Sequence, residues 1–122
     1  MKLKKKYLFI NLAILFIFSC TTIASLMDEP TPPIKHTIKD LSTYEAKLTD
    51  YIMYLQVFLT RTRKKFINDT NYPKFTYFDS STLKHDHTID SLLFNIKLLK
   101  DYISITKPIA QSVYMRYSKL KN

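Results

Sequence analysis

The chain has 122 residues, no glycine, one cysteine and a formal net charge of +9 at pH 7. Because the backbone needs glycine to approach phosphate closely, this composition excludes dinucleotide-binding and P-loop sites. The same lack disfavours tight two-residue hairpins, so it favours helices over sheets. No internal repeat is visible, and the length suits one domain.

The first 19 residues have the layout of an export signal. Four lysines precede an apolar run over residues 7–18, and the chain becomes polar at Ser19. A helix of that length would span roughly 18 Å, whereas the hydrocarbon core of a bilayer is ~30 Å thick. A charged start, a short apolar stretch and small residues after it are typical of a secretory signal. We therefore expect residues 1–19 to be removed as a signal peptide.

Cys20, the single cysteine, follows directly. Residues 17–20, Ile-Phe-Ser-Cys, resemble a bacterial lipobox, which has a branched apolar residue three positions before the cysteine and a small residue one before it. Looser lipoboxes of this kind, and a composition rich in Lys, Asn, Ile and Tyr, resemble the small plasmid-encoded lipoproteins of borrelial spirochaetes. The resemblance implies that Cys20 becomes the first residue of the mature protein and carries acyl chains such as palmitate.

Two other interpretations of the N-terminus stay open. In one, an ordinary signal is cleaved near residues 22–24. In the other, the apolar run stays in the membrane, as in a small membrane-active or phage-exclusion protein. A lone cysteine in an exported chain cannot form an internal disulfide, and lipidation accounts for both its isolation and its position. Two or three acyl chains make a stable anchor, whereas one chain holds only marginally.

The mature chain is expected to divide into a tether and a helical domain. Residues 20–36 hold the lipidated cysteine and a proline-containing spacer, which favours extended geometry and should make no core contacts. Residues 37–122 carry the helical domain. Without its signal the chain has 15 basic and 10 acidic residues. This modest excess indicates anionic lipid, polysaccharide or acidic protein partners, and no nucleic acid is expected outside the cytoplasm.

The apolar pattern predicts an all-α fold, an antiparallel helical hairpin with a shorter third helix. Helix one should begin between Thr37 and Ser42, where residues 42–45 form a capping box, and should stop within residues 68–73. Residues 70–80 should form an ordered loop across the helices. The apolar stripe of helix one recurs every three or four residues and comprises Leu41, Tyr44, Leu48, Ile52, Leu55 and Leu59, widened by Tyr51, Tyr54, Val57 and Phe58.

Helix two should start near Ser81 or Thr82 and end near Ile105, because Pro108 disfavours helix in the residue before it. Pro108 would then open the third helix, and a continuation of helix two kinked at Pro108 is the alternative. If the third helix does not dock, the wide stripe of helix one should pair with a second copy as a homodimer. The expected buried residues are Leu83, Ile89, Leu92, Leu93, Ile96, Leu99, Tyr102 and Ile103 on helix two, and Ile109, Val113, Tyr117 and Leu120 on the third.

Two neighbouring stretches are candidates for partner binding. The basic cluster could engage sulfated polysaccharide or anionic head groups, whereas its ordinary explanation is complementation of a helix C-terminus. The aromatic cluster is either an exposed recognition patch or a lid packed on the core. The basic cluster is Arg61, Arg63, Lys64 and Lys65, and the aromatic cluster is Tyr72, Phe75, Tyr77 and Phe78.

Metal and catalytic chemistry have little support. His85-Asp86-His87 holds zinc-type ligands, but helical residues two apart point about 200° apart, so a solvated first helical turn is expected instead. The chain has no nucleophile elbow and no glycine for an oxyanion loop. We therefore expect no enzyme, no metal and no cofactor.

Together with the resemblance, these features predict a membrane-anchored bacterial lipoprotein, exposed at the outer membrane surface as an antigen. It would act as a non-catalytic binding module for a host protein or an anionic polysaccharide. The alternative is a periplasm-facing structural lipoprotein of the envelope that self-associates through helix one.

Overall fold

The computed structural model describes residues 26–119. Two long helices dominate this range, α1 at Ile38–Lys65 and α2 at Ile89–Tyr117, and a single 3-10 turn at Ser80–Thr82 lies between them. Residues 26–119 contain no strand, so the expected all-α class is confirmed. Neither helix is long and apolar enough to cross a bilayer. The expected signal peptide, Cys20 and Leu120 lie outside the described residues.

The start of α1 is set by Thr37 and not by the expected capping box. The Thr37 hydroxyl accepts a hydrogen bond from the Asp40 backbone N–H at 3.1 Å, and the Asp40 carboxylate complements the helix dipole. Residues 42–45 therefore lie inside the helix, and the predicted capping box is wrong. α1 ends at Lys65, slightly earlier than expected, and Phe66 is its C-cap.

α2 begins at Ile89, later than the predicted Ser81 or Thr82. The Thr88 hydroxyl caps it by accepting from the Ser91 N–H at 3.2 Å. The stretch from His85 to His87 consequently precedes the helix, so its assignment to a first helical turn is wrong. Only the 3-10 turn forms where the helix was expected to start.

The prediction of a separate third helix is also wrong, because α2 continues through Pro108 to Tyr117. Thr106 and Ala110 are buried on either side of the proline, so one packed face runs past it without interruption. Pro108 itself is exposed, and its missing N–H leaves the carbonyl of exposed Ser104 free to bond water. Of the alternative, a continuation of helix two kinked at Pro108, the continuation is therefore confirmed.

The two helices run parallel, not antiparallel. Asn95 donates to the Glu45 carboxylate at 3.3 Å near the helix starts, and the rings of Phe66 and Tyr117 lie 4.9 Å apart at the helix ends. The sequence numbers of the paired residues therefore increase in the same direction along both helices. The predicted antiparallel hairpin is wrong. The prediction assumed a short connection, whereas residues 66–88 can return along the ~42 Å length of α1.

This connector, residues 66–88, packs along both helices as it returns. Tyr72 Oη donates to the Leu59 carbonyl at 2.6 Å, and the Phe78 N–H donates to Gln56 Oε1 at 2.7 Å. Further along, the Lys84 N–H donates to Asn95 Oδ1 at 2.8 Å. The connector is therefore an ordered segment folded across the helices, as the sequence indicated.

Residues 26–29 also lie against the helices. The Met27 N–H donates to Tyr54 Oη at 3.0 Å, Glu29 pairs with Lys107 at 3.6 Å, and Leu26 packs against the core. The expectation that the tether makes no core contacts is therefore wrong for residues 26–29, whereas most of residues 31–36 are exposed. Two returning segments accordingly accompany the two parallel helices.

The core follows the seam between the helices. The six-residue stripe predicted for α1 is buried, and Tyr51 joins it, whereas Val57 is exposed. On α2 the exposure of Ile89 and Leu93 contradicts the prediction. The other buried residues are Ser91, Leu92, Asn95, Ile96, Leu99, Ile103, Thr106, Ala110, Val113 and Tyr117. The stripe of α1 is thus covered within one chain, which leaves the homodimer expected through it without its apolar face.

Candidate functional site

Parallel packing brings the C-terminal ends of both helices together, and we call this region the basic end. Residues 60–77 and 108–119 form it, with seven basic residues and one acidic residue, Asp69. The rest of the described chain has seven basic and nine acidic residues. All the net positive charge of residues 26–119 therefore lies at one end. The basic residues there are Arg61, Arg63, Lys64, Lys65, Lys74, Arg116 and Lys119.

Arg63 joins the predicted basic cluster to the predicted aromatic cluster. Its guanidinium lies 5.1 Å from the centre of the Phe75 ring, and its Nη2 donates to Tyr77 Oη at 3.5 Å. Such a cation–π contact holds the side chain close to the connector. The other three members, Arg61, Lys64 and Lys65, are exposed and make no side-chain hydrogen bond within the described residues. These three are available to a partner.

The aromatic cluster is mostly packed on the core. Tyr72, Phe75 and Phe78 are half-buried against it. Burial raises the pKa of Tyr72 to about 12, although nearby Arg63 opposes that rise. Tyr77 is 55% exposed, and a hydrogen bond with the Thr60 hydroxyl at 2.8 Å lowers the pKa of its phenol. Tyr77 is the member that presents most of its surface to a partner.

The one acidic residue of the basic end is tied to its neighbours. Asp69 accepts from Tyr117 Oη at 2.5 Å and from the Asn71 N–H at 2.9 Å, and the bond from Tyr117 is the main reason why its carboxyl pKa is lowered. Arg116 Nη1 donates to the Asn71 carbonyl at 3.5 Å. The Asp69 carboxylate therefore holds the connector to α2, whereas most of the basic side chains are exposed to solvent.

Sequence reasoning found half of this surface. Arg61 to Lys65 are adjacent in the chain, but Lys74, Arg116 and Lys119 join them only because the helices are parallel and the connector starts at the same end. A polar turn after α1 adds Ile67, whose side chain is 77% exposed beside these cations.

The histidine-containing stretch lies at the far end of the molecule, near the helix starts. Residues 26–119 bring together no group of three or more His, Cys, Asp or Glu side chains that could hold a metal ion. A hydrogen bond from Ser91 is the main cause of the lowered pKa of Asp86, which also accepts from the Thr88 hydroxyl at 3.5 Å. Asp86 thus supports the start of α2.

Comparison with known proteins agrees with the resemblance seen in the sequence. The chain is similar to the outer membrane lipoprotein BBA14 of Borreliella burgdorferi, with 55% identity over 105 residues that cover 86% of each protein. Residues 25–119 match the Borrelia orf-D family, and this range takes in the tether residues that pack on the helices, both helices and the connector. The expected borrelial relationship is therefore confirmed, and the chain belongs to the Borrelia orf-D family.

Proposed function

We propose that this chain is a lipid-anchored protein of the outer membrane and a non-catalytic binding module whose basic end takes an anionic partner. The anchor is supported by the lipobox-like residues 17–20 and by the relative that is named an outer membrane lipoprotein. The binding role is carried by one observation, the segregation of charge toward the basic end. The basic end has seven basic residues and a single carboxylate, that of Asp69, which is hydrogen-bonded to its neighbours.

The chemistry of this surface suits a polyanion. Arg61, Lys64 and Lys65 are exposed on the last turns of α1, so each can reach a phosphate, sulfate or carboxylate without disturbing the core. Tyr77 adds an exposed ring beside them. A host protein with an acidic surface, an anionic polysaccharide and anionic lipid head groups all offer the matching charge.

The proposed anchor is tested by the mass of the native N-terminal peptide. We expect a chain that begins at Cys20 and carries the added mass of acyl chains. A native protein that begins at Met1, or that begins after Cys20 without lipid, would contradict the anchor. Protease treatment of intact cells then tests the membrane face, because a surface protein is cut and a periplasm-facing one is protected.

The proposed binding surface is tested by charge reversal. Arg61, Lys64 and Lys65 are changed to Glu together, and Arg63 is left in place because it packs on Phe75. We expect the variant to leave a heparin column at clearly lower salt than the unchanged protein. The matched control reverses exposed Lys39, Lys47 and Lys100, which lie outside the basic end. Equal elution of the two variants would refute the assignment of binding to the basic end.

The structural alternative, self-association through α1, has less support. The apolar stripe that would form its interface is covered by α2, the connector and residue Leu26. On α1, the large apolar side chains of Met53 and Val57 are exposed one turn apart, and that of Ile38 is exposed four turns earlier, so the uncovered apolar surface is small. A binding module therefore accounts better for the described residues.

A further inference from the structure

We infer that the basic end faces the membrane that anchors the chain, so that its anionic partner is the layer of lipid head groups around the anchor. This inference rests on the proposed lipid at Cys20. The inference adds the orientation of the domain on the bilayer. It also selects lipid head groups over the other two anionic partners, an acidic host protein and a polysaccharide.

The first support is the path of the chain on entering the domain. Leu26 and Met27 lie in a groove that runs from Tyr51, at the middle of α1, to Met115, near the end of α2. Met27 is also bonded to Tyr54, in the second half of α1. From there the chain runs toward the helix starts, where α1 begins. The domain is therefore entered from the half of the molecule that carries the basic end.

The length of the remaining chain gives the second support. Six peptide units separate Leu26 from Cys20, and fully extended they reach about 20 Å. The rise of α1 from Tyr54 to Lys65 is about 16 Å, so the anchor can reach the level of the basic end. The rise from Ile38 to Tyr54 is about 24 Å, so the helix starts lie at the limit of that reach. An orientation with the helix starts against the bilayer would therefore need a fully extended chain.

Charge decides between the two orientations that the chain reaches without full extension, with the basic end or a side of the domain on the bilayer. The side along which residues 26–30 lie carries Asp28 and a Glu29 whose charge Lys107 offsets, so that side offers an anionic surface no net attraction. The basic end attracts that surface through seven cations, and each Lys or Arg near it strengthens the contact about fivefold. Exposed Ile67 lies at the same end, where an apolar side chain can enter the head-group region.

The experiment uses the acylated, mature chain in vesicles. Because the lipid occupies the sulfur of Cys20, a cysteine introduced elsewhere is a unique free thiol for a fluorophore. Asn68→Cys places the label at the basic end beside Ile67, and His85→Cys places it near the helix starts. The vesicles are phosphatidylcholine, with or without phosphatidylglycerol, and carry a quencher on a fraction of the head groups.

On vesicles with phosphatidylglycerol we expect strong quenching at residue 68 and little at residue 85. Removal of phosphatidylglycerol or addition of salt should weaken the quenching at residue 68. Charge reversal at Arg61, Lys64 and Lys65 should abolish the difference between the labels, whereas reversal at Lys39, Lys47 and Lys100 should leave it. Equal quenching at both labels, or stronger quenching at residue 85, would overturn the orientation.

Two further outcomes separate this inference from the proposals on which it rests. If the chain fails to sediment with neutral vesicles, the anchor at Cys20 fails, and the orientation falls with it. If the chain is anchored and binds heparin, but the label at residue 68 is not quenched on anionic vesicles, the basic end serves a soluble polyanion. That result would keep the proposed function and refute the membrane-facing orientation.

Discussion

Asn95 is the buried side chain that holds the end of the connector to both helices. It is 1% exposed, accepts from the Lys84 N–H at 2.8 Å, and donates to the Lys84 carbonyl at 2.8 Å and to Glu45 at 3.3 Å. These three bonds satisfy a polar group that would otherwise be costly to bury. They also join three segments that are distant in sequence.

We predict that Asn95→Ala lowers the free energy of unfolding by about 1–3 kcal/mol, because it removes these bonds and leaves the Lys84 backbone groups without their partner. Urea denaturation followed by circular dichroism measures the change. The control is Asn68→Ala, at an exposed position in the turn after α1, which should change stability by less than about 0.5 kcal/mol. Similar losses for both variants would contradict the role of Asn95.

Tyr72 should make the protein sensitive to alkali. Burial raises the pKa of its folded phenol to about 12, whereas an unfolded tyrosine ionises near 10. A raised pKa contributes stability that is complete below pH 10 and is lost as the pH rises through 12. We predict that Tyr72→Phe makes the loss of thermal stability above about pH 10 less steep.

Tyr77→Phe is the control for this prediction, since hydrogen bonding lowers the pKa of Tyr77 and reverses the sign of its contribution. Removal of Tyr77 should therefore not reduce the alkaline loss. Melting temperatures measured across this pH range compare the two variants with the unchanged protein. The same alkaline slope in Tyr72→Phe and in the unchanged protein would refute the prediction.

Single residues also show where sequence reasoning succeeds. The stripe from Leu41 to Leu59 is visible because apolar residues recur at the helical period, and the structure buries it. Asn95 gives no such signal, since a polar residue in a helix is expected to face water. The prediction fails in the opposite way for Ile89 and Leu93, which were expected to be buried because they are apolar. Both are exposed on α2.

At the scale of elements, the direction of α2 was the feature that the sequence did not reveal. The periodic pattern of a helix is the same in either direction, so only contacts such as Glu45 with Asn95 distinguish parallel from antiparallel packing. The signal lay in the connector, whose aromatic residues need a surface to cover. A segment of 23 residues between two helices is long enough to run back along them.

Pro108 tests how much of α2 is held by tertiary packing. Proline in a helix interior is about 3 kcal/mol less favourable than alanine, because it removes one N–H and its ring crowds the preceding turn. α2 nevertheless remains continuous, since Thr106 and Ala110 are buried beside it. The gain from packing therefore exceeds the local cost.

We predict that Pro108→Ala raises the free energy of unfolding by about 1–3 kcal/mol, because it restores the hydrogen bond to the Ser104 carbonyl. Chemical denaturation measures the change, and Ser112→Ala, one turn further at an exposed position, is the control. A loss of stability in Pro108→Ala would contradict this account, since it would show that the core requires a backbone shape that only proline imposes.

For the whole molecule, the parallel arrangement is what creates the basic end. Two parallel helices place both negative dipole ends together, and cations there offset that charge. An antiparallel pair would instead have separated Arg63 and Lys64 from Arg116 by the length of a helix. The candidate partner surface therefore depends on a feature of topology, so the direction of the helices is the property to measure first.

We predict that spin labels at residues 64 and 115 lie close together, separated by an interhelical distance of about 8–10 Å plus the label arms. Labels at residues 39 and 115 should be about 38 Å apart along the helix axis, since 25 residues of α1 separate Lys39 from Lys64. Double electron–electron resonance on the chain with Cys20→Ser measures both pairs, because the two introduced cysteines are then the only thiols. The reverse result, with the first pair far apart and the second close, would restore the antiparallel hairpin and divide the basic end between opposite ends of the molecule.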